Sequence, residues 1–193
     1  GAALAAARAG AHTTLVEQYG FLGGAATVNA VGPFMTSFSA DGDRQITAGV
    51  FDELVRRLEA EGGAIHPAKV RSASPESGFY VFGHDHVTPF DGEALKLAAD
   101  ELVTEAGAQL WFHARFIAPI VEGGWLRGAI VHTKSGLQGI AARTVVDCSA
   151  DADVAHAAGV PTLKGRPGDG LTQPMTLFFR VGGVDDAAVI AHA

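Results

Sequence analysis

A helix, a glycine and a short strand that ends in an acid begin this chain, and their order constrains the fold more than any other feature. Residues 2–9 are strong helix formers, and Gly10 supplies the left-handed residue that ends such a helix. The β-branched and apolar run 13–16 predicts a buried parallel strand, with Glu17 at its C-terminal end. A helix that leads into a parallel strand is typical of an α/β protein.

The following segments alternate in the same way before the pattern changes. An amphipathic helix is predicted over 46–61, with Val50, Leu54 and Leu58 on one face, and a third helix runs from the N-cap Asp91 to about Ala106. After a strand at 109–113, glycine-containing turns at 122–124 and 134–136 predict a three-stranded antiparallel meander. Other predicted elements are a strand near 79–82, a buried strand at 142–148, a short helix at 151–158 stopped by Gly159, and a strand-like run at 172–181.

Glu17 is followed by a glycine-rich loop, Gln18 to Thr27, in which the backbone is expected to approach another group closely. In a dinucleotide-binding unit, an acid at the end of the second strand binds the ribose hydroxyls, about 20 residues after a glycine fingerprint. That fingerprint would precede residue 1, so we expect the chain to be an N-terminally truncated fragment. Glu17 as a solvated strand-end carboxylate is the alternative, and the neighbouring glycines favour the ribose role.

Six motifs together carry a family resemblance: 5–10 (Ala-Ala-Ala-Arg-Ala-Gly), 15–17 (Leu-Val-Glu), 19–24 (Tyr-Gly-Phe-Leu-Gly-Gly), 91–96, 147–153 and 169–176. Over nearly its whole length the chain resembles the two-dinucleotide-binding-domain flavoproteins, in the branch of FAD-dependent oxidoreductases related to the flavoprotein component of heterodisulfide reductase. The resemblance implies an α/β, FAD/NAD(P)-binding Rossmann-like fold of the glutathione reductase type with a meander crossover. It implies an FAD domain over 1–160, an insertion at 28–91 on the substrate side, and the start of a substrate domain at 161–193.

The resemblance also implies non-covalent FAD and a set of residues around it. Glu17 would bind the ribose of the ADP half and the backbone near Phe116 would touch adenine. The other implied cofactor-binding residues are Gln18, Gly23, Gly24, Thr27, Ser149 and Asp151. Ala150 stands where relatives commonly have glycine. No catalytic residue is identified.

The meander independently favours FAD over a nicotinamide-only domain, and the acid at 17 disfavours a 2′-phosphate and hence NADP. An NAD-linked dehydrogenase, a non-catalytic binding module and an electron-transfer protein with iron–sulfur clusters stay open as alternatives. The expected partner is a small-molecule substrate, and a homo-oligomer or an electron-transfer partner stays open.

Charge and cysteine content limit the partners. A net charge of -7 with 14 scattered Lys and Arg residues disfavours nucleic acid. The apolar N-terminal run is short and interrupted by Arg8, so no membrane association is expected. The single cysteine, Cys148, excludes an internal disulfide, is consistent with a reducing cytoplasm, and is expected to be a small core residue.

The histidines could supply metal ligands or a general acid or base. His84, Asp85 and His86, together with His66 or His113, have suitable donor chemistry for zinc or iron. Because 84–86 lies between Gly83 and Pro89, we expect an ordinary polar loop and no metal site.

Overall fold

The computed structural model describes residues 1–71 and 85–192. The predicted strand near 79–82 and His84 lie outside these described residues. The helices are α1 (Ala2–Arg8), α2 (Val50–Ala60), α3 (Gly92–Glu105), α4 (Asp153–Ala157) and α5 (Asp186–His192). The strands are β1 (Thr14–Val16), β2 (Gln109–Trp111), β3 (Arg115–Glu122), β4 (Trp125–Thr133) and β5 (Gly136–Ala141).

The chain divides into two compact units. One, the meander unit, comprises residues 2–21 and 107–176; the other, the helical unit, comprises Gly1, 22–106 and 177–193.

The meander unit contains the predicted helix-to-strand opening. Helix α1 ends where Gly10 adopts a φ of 84°, a conformation that glycine reaches without steric cost. Strand β1 then pairs in parallel with β2, from Thr14 opposite Gln109 to Val16 opposite Trp111. Parallel pairing of strands so distant in sequence confirms the α/β class.

The predicted meander is also present. Strands β3, β4 and β5 form an antiparallel sheet in that order, and the reversals fall at the two predicted turns. The sheet is irregular between Phe116 and Ala118 and between Ile120 and Val121, where the pairing register shifts.

The prediction of a buried strand at 142–148 is wrong. No residue of this segment belongs to a strand, Val146 is 62% exposed, and Cys148 is exposed rather than a core residue. An apolar, β-branched sequence becomes a buried strand only when a neighbouring strand supplies ladder hydrogen bonds. Within the described residues this segment pairs with none.

The helical unit is organised by the packing of α2 against α3. Its core cluster consists of Leu58, Leu95 and Ala98, each at most 2% exposed. Arg57 of α2 bridges the same two helices through bidentate ion pairing with Glu105 and a longer contact with Glu101. Apolar burial and this bridge together join two helices that lie far apart in sequence.

Both helices begin for identifiable local reasons. Asp91 caps α3 as predicted, because its carboxylate accepts hydrogen bonds from the N–H groups of Glu93 and Ala94. Helix α2 begins at Val50 rather than near Ile46, because the N–H groups of Ile46 and Thr47 both donate to the carbonyl of Ser37.

The C-terminal segment differs from its prediction. Residues 172–181 contain no strand, and Met175 and Leu177 are almost fully exposed. The helix α5 that follows was not predicted. The alternating apolar residues of this segment favour an extended chain, but a ladder partner is required for a strand.

Candidate functional site

The loops that follow β1 and β2 run side by side in the meander unit. The N–H of Glu17 donates to the carbonyl of Trp111 at 2.9 Å, and the N–H of Ala114 donates to the carbonyl of Glu17 at 3.0 Å. One step further, the N–H of His113 donates to the carbonyl of Tyr19 at 3.0 Å. The carboxyl ends of the two parallel strands therefore form one surface, which is where α/β sheets bind their ligands.

The Glu17 side chain is half-buried on this surface, with one oxygen in use. Its Oε1 accepts the N–H of Tyr19 at 2.9 Å, and Oε2 accepts no hydrogen bond from the part of the chain that the structure describes. The bond to Tyr19 orients the carboxylate without using its second oxygen. A carboxylate with one spare oxygen at the end of a parallel strand fits the hydroxyls of a nucleotide ribose.

Two further predicted residues follow these strands in the sequence, Gln18 after β1 and Phe116 after β2. Gln18 follows Glu17 and is exposed. Phe116 is half-buried in β3, opposite Val131, at the point where the register of the meander shifts. Because a register shift leaves local backbone groups outside the regular ladder, it is a place where a ligand can meet the main chain.

Ser149 and Asp151 belong to a turn built on Asp147. The carboxylate of Asp147 accepts hydrogen bonds from the N–H groups of Ser149, at 2.9 Å, and Ala155, at 2.8 Å. The hydroxyl of Ser149 accepts from the N–H of Asp153 at 2.8 Å, which caps α4, and Asp151 is exposed. Although burial alone would raise the pKa of Asp147, its hydrogen bonds with Ser149 and the backbone lower it, so the carboxylate is ionised at neutral pH.

The same turn lies beside an open recess of about 240 Å³ in the meander unit. Its lining is mostly apolar and includes Val121, Leu126, Val145 and Val154, with Asp147 as the charged member. The conformation at Ala150, with a φ of 72°, is one that glycine adopts most readily. The backbone at this position therefore favours glycine over the alanine that the chain has.

The glycine loop of the helical unit is held at Leu22. The carbonyl of Leu22 accepts the Thr27 hydroxyl at 2.9 Å, and its N–H bonds to Asp100, whose pKa is raised by burial. Gly23 has a φ of 113°, and a Cβ there would lie 2.4 Å from the Thr27 side chain. Gly24 has a φ of 52° and open space where a Cβ would stand. The Thr27 hydroxyl thus stabilises the turn, and the backbone of Gly24 is uncovered.

The structure therefore places the predicted residues in two groups. Glu17 lies on the joint end of β1 and β2, while the turn containing Ser149 and Asp151 belongs to the same unit. Gly23, Gly24 and Thr27 form a compact turn within the helical unit. His113 was not predicted as a cofactor residue, although it immediately precedes Ala114, which bonds to the Glu17 backbone. Only the pairing of β1 with β2 brings His113 next to the Glu17 segment, and no local sequence signal indicates that pairing.

His66 and His86, the other described histidines considered as metal ligands, have partners within the protein. The Nδ1 of His66 accepts the N–H of Ala68, so its Nε2 carries a proton and donates to Asp52 at 2.9 Å. His86 donates from Nδ1 to the carbonyl of Pro67, and its ring stacks on Phe38. Residues 1–71 and 85–192 contain no group of three His, Cys, Asp or Glu side chains arranged to hold a metal ion. Nor does any helix in these ranges have the length and apolar character needed to cross a membrane.

Comparison with solved structures supports the fold. The chain superposes on a geranylgeranyl bacteriochlorophyll reductase-like protein from Thermoplasma acidophilum with a TM-score of 0.51 and 19% identity, over 82% of this chain and 38% of that one. It thus spans well under half the length of this structural relative. An aromatic hydroxylase from angucycline biosynthesis matches with a TM-score of 0.44 and 18% identity, over 76% of this chain and 27% of that one.

Comparison with curated proteins finds no match. The family model described as FAD dependent oxidoreductase matches residues 1–192, nearly the entire chain. The chain therefore belongs to the FAD-dependent oxidoreductase family, and its cofactor is FAD.

Proposed function

We propose that this chain binds the adenosine half of a non-covalent FAD in an enzyme that takes hydride or electrons from a small molecule. The observation that carries the proposal is the Glu17 carboxylate at the joint end of two parallel strands. Its Oε1 accepts the N–H of Tyr19, and its Oε2 accepts no hydrogen bond from residues 1–71 and 85–192. Family membership supplies the cofactor, and the geometry supports a position for its ribose.

The finer classification rests on the meander and the sequence motifs. An antiparallel crossover in an otherwise parallel α/β unit supports a Rossmann-like domain of the glutathione reductase type. The motifs at 15–17, 19–24 and 147–153 support the branch related to the flavoprotein component of heterodisulfide reductase. The segment 28–91 is proposed to contribute to the substrate side.

The residues would divide the work of holding the cofactor. Glu17 accepts the ribose hydroxyls, and the backbone near Phe116 contacts adenine. Gly23, Gly24 and Thr27 offer a close-approach turn, while Ser149 and Asp151 present a hydroxyl and a carboxylate near the N-terminus of α4. FAD, when bound, supplies the hydride- and electron-accepting chemistry, and the protein supplies orientation and electrostatics.

The test is the substitution Glu17→Gln in the holoprotein. The amide oxygen of glutamine retains the bond from Tyr19, while its NH₂ group replaces Oε2, so the variant removes chiefly the acceptor proposed for ribose. FAD affinity, measured by flavin fluorescence titration of the apoprotein, should fall about 10- to 100-fold, because a hydrogen bond to a charged group contributes about 1.5–3 kcal/mol.

Glu122→Gln is the matched control, since Glu122 is an exposed glutamate at the end of β3. It should leave FAD affinity unchanged. Equal affinities of wild type and Glu17→Gln would refute the ribose role and with it this placement of FAD.

A further inference from the structure

His113 occupies an unusual position next to the proposed ribose site. It stands two residues beyond the end of β2 and has a φ of 51°. Non-glycine residues adopt this left-handed conformation at an energetic cost, and such residues concentrate at functional sites. A glycine would meet the same φ without strain, yet this chain carries an exposed imidazole there.

The imidazole lies directly over Gly20. A Cβ built on Gly20 would lie 2.8 Å from both Cε1 and Nε2 of His113, well inside van der Waals contact. The absence of a side chain at Gly20 therefore lets the ring reach across the loop that follows β1. Gly20 has no left-handed φ, so the need for glycine here is the space that the ring occupies.

The backbone at His113 and Ala114 pairs with the segment that begins at Glu17. The N–H of His113 donates to the carbonyl of Tyr19, and the N–H of the next residue, Ala114, donates to the carbonyl of Glu17. Since Oε1 of Glu17 accepts the N–H of Tyr19, the carboxylate and the imidazole are anchored to the same short stretch of chain. An aromatic ring beside a ribose-binding acid is placed to meet the base of the same nucleoside.

We infer that His113 is a cofactor-contact residue that stacks its imidazole on the adenine of FAD, in the space that Gly20 leaves open. The inference rests on the proposed ribose role of Glu17. Stacking is favoured because the ring edge is directed at Gly20, which leaves the ring faces as its main contact surface. Aromatic side chains stack on nucleobases through their faces.

His113→Ala should weaken FAD binding about tenfold, an effect typical of losing one base-stacking side chain. The competing affinity of ADP should fall by the same factor, because ADP carries the adenine and lacks the flavin. His113→Phe retains a flat ring and should bind FAD and ADP about as well as wild type. His132→Ala, which removes an exposed histidine from β4 of the same unit, should have no effect.

Gly20→Ala displaces the ring without removing it. The new methyl group would lie 2.8 Å from Cε1 and Nε2 of the ring, so the ring must rotate away to make room for it. This variant should reproduce the loss seen in His113→Ala, while the double variant should bind no more weakly than His113→Ala alone. Such complete coupling would show that the two substitutions remove the same interaction, the contact of the His113 ring with adenine.

Three results would overturn the inference. FAD affinity could be unchanged in His113→Ala, the loss could affect FAD and spare ADP, or Gly20→Ala could weaken binding further in the His113→Ala background. Glu17→Gln measured in the same titration separates the two proposals. If it weakens FAD binding while His113→Ala does not, only the stacking role is wrong; if Glu17→Gln has no effect, the ribose placement fails as well.

Discussion

At the scale of single residues, backbone conformation distinguishes alanines that the sequence alone does not distinguish. Ala150 and Ala152 are ordinary alanines in the sequence, yet their φ values are 72° and 59°. Both lie in the turn between Asp147 and α4, where the hydrogen bonds of Asp147 and Ser149 impose the conformation. The Cβ of an alanine in this conformation approaches the following carbonyl oxygen, so the turn carries a steric cost at both positions.

Ala150→Gly is expected to stabilise the protein. Relief of the left-handed conformation gains about 1–2 kcal/mol, and the greater entropy of glycine in the unfolded chain costs about 0.5–1 kcal/mol. The free energy of unfolding from urea titration should therefore rise by several tenths of a kcal/mol, up to about 1 kcal/mol. Ala155→Gly, inside α4, is the control and should lower stability instead. A loss of stability in Ala150→Gly would contradict this account of the turn.

At the scale of elements, α2 is tied at its first turn to the segment that follows it in the helical unit. Asp52 near the start of α2 accepts the Nε2 proton of His66, and Glu59 later in the same helix accepts the backbone N–H of His66. His66 itself is only 6% exposed. One histidine therefore joins two turns of α2 to the 3-10 helix at Pro67–Lys69.

This tie should be sensitive to acid. Hydrogen bonds from His66, and then from Arg56, lower the pKa of Asp52 from 3.8 to about 2. A depressed carboxyl pKa contributes stability that is present above the unfolded value and is lost as the pH falls through the folded value. Asp52→Asn should therefore be less stable than wild type at neutral pH, and the difference should shrink as the pH falls from 3.8 towards 2. A difference independent of pH in urea titrations would rule out the ionised carboxylate as its source.

The packing of α3 provides a second prediction at this scale. Leu95 is 2% exposed in the core cluster, whereas Leu97 on the same helix is 56% exposed. Leu95→Ala should lower the free energy of unfolding by about 2–5 kcal/mol, because it removes buried methyl groups and leaves a cavity. Leu97→Ala should change it by less than about 0.5 kcal/mol. Similar losses in the two variants would contradict the assigned face of α3.

At the scale of the whole molecule, membership of the FAD-dependent oxidoreductase family predicts which cofactor the purified protein carries. The native protein, purified without added cofactor, should carry FAD that is released on denaturation and identified by chromatography. The flavin should be released without covalent modification of the chain, because the proposed binding is non-covalent. A colourless protein carrying only a nicotinamide nucleotide would instead support an NAD-linked dehydrogenase.

Much of the fold follows from local sequence. The helix ending at Gly10, the cap at Asp91 and the meander turns were predictable because each depends on residues that are neighbours in the chain. Residues 142–148 and 172–181 were assigned to strands wrongly, because a strand depends on a partner that lies elsewhere in the chain. Propensity alone carries no information about that partner.

For the candidate site the same division holds. Sequence alone determined that Glu17 follows a short β-branched run and that a glycine-rich loop comes next, since both are properties of a few adjacent residues. Only the tertiary structure decided that β2 lies beside β1, that Oε2 of Glu17 accepts no hydrogen bond from any described residue, and that the ring of His113 covers Gly20. The contacts of β1 with β2 and of His113 with Gly20 join residues more than 90 positions apart, and the pairing of the two strands, not any local preference, brings them together.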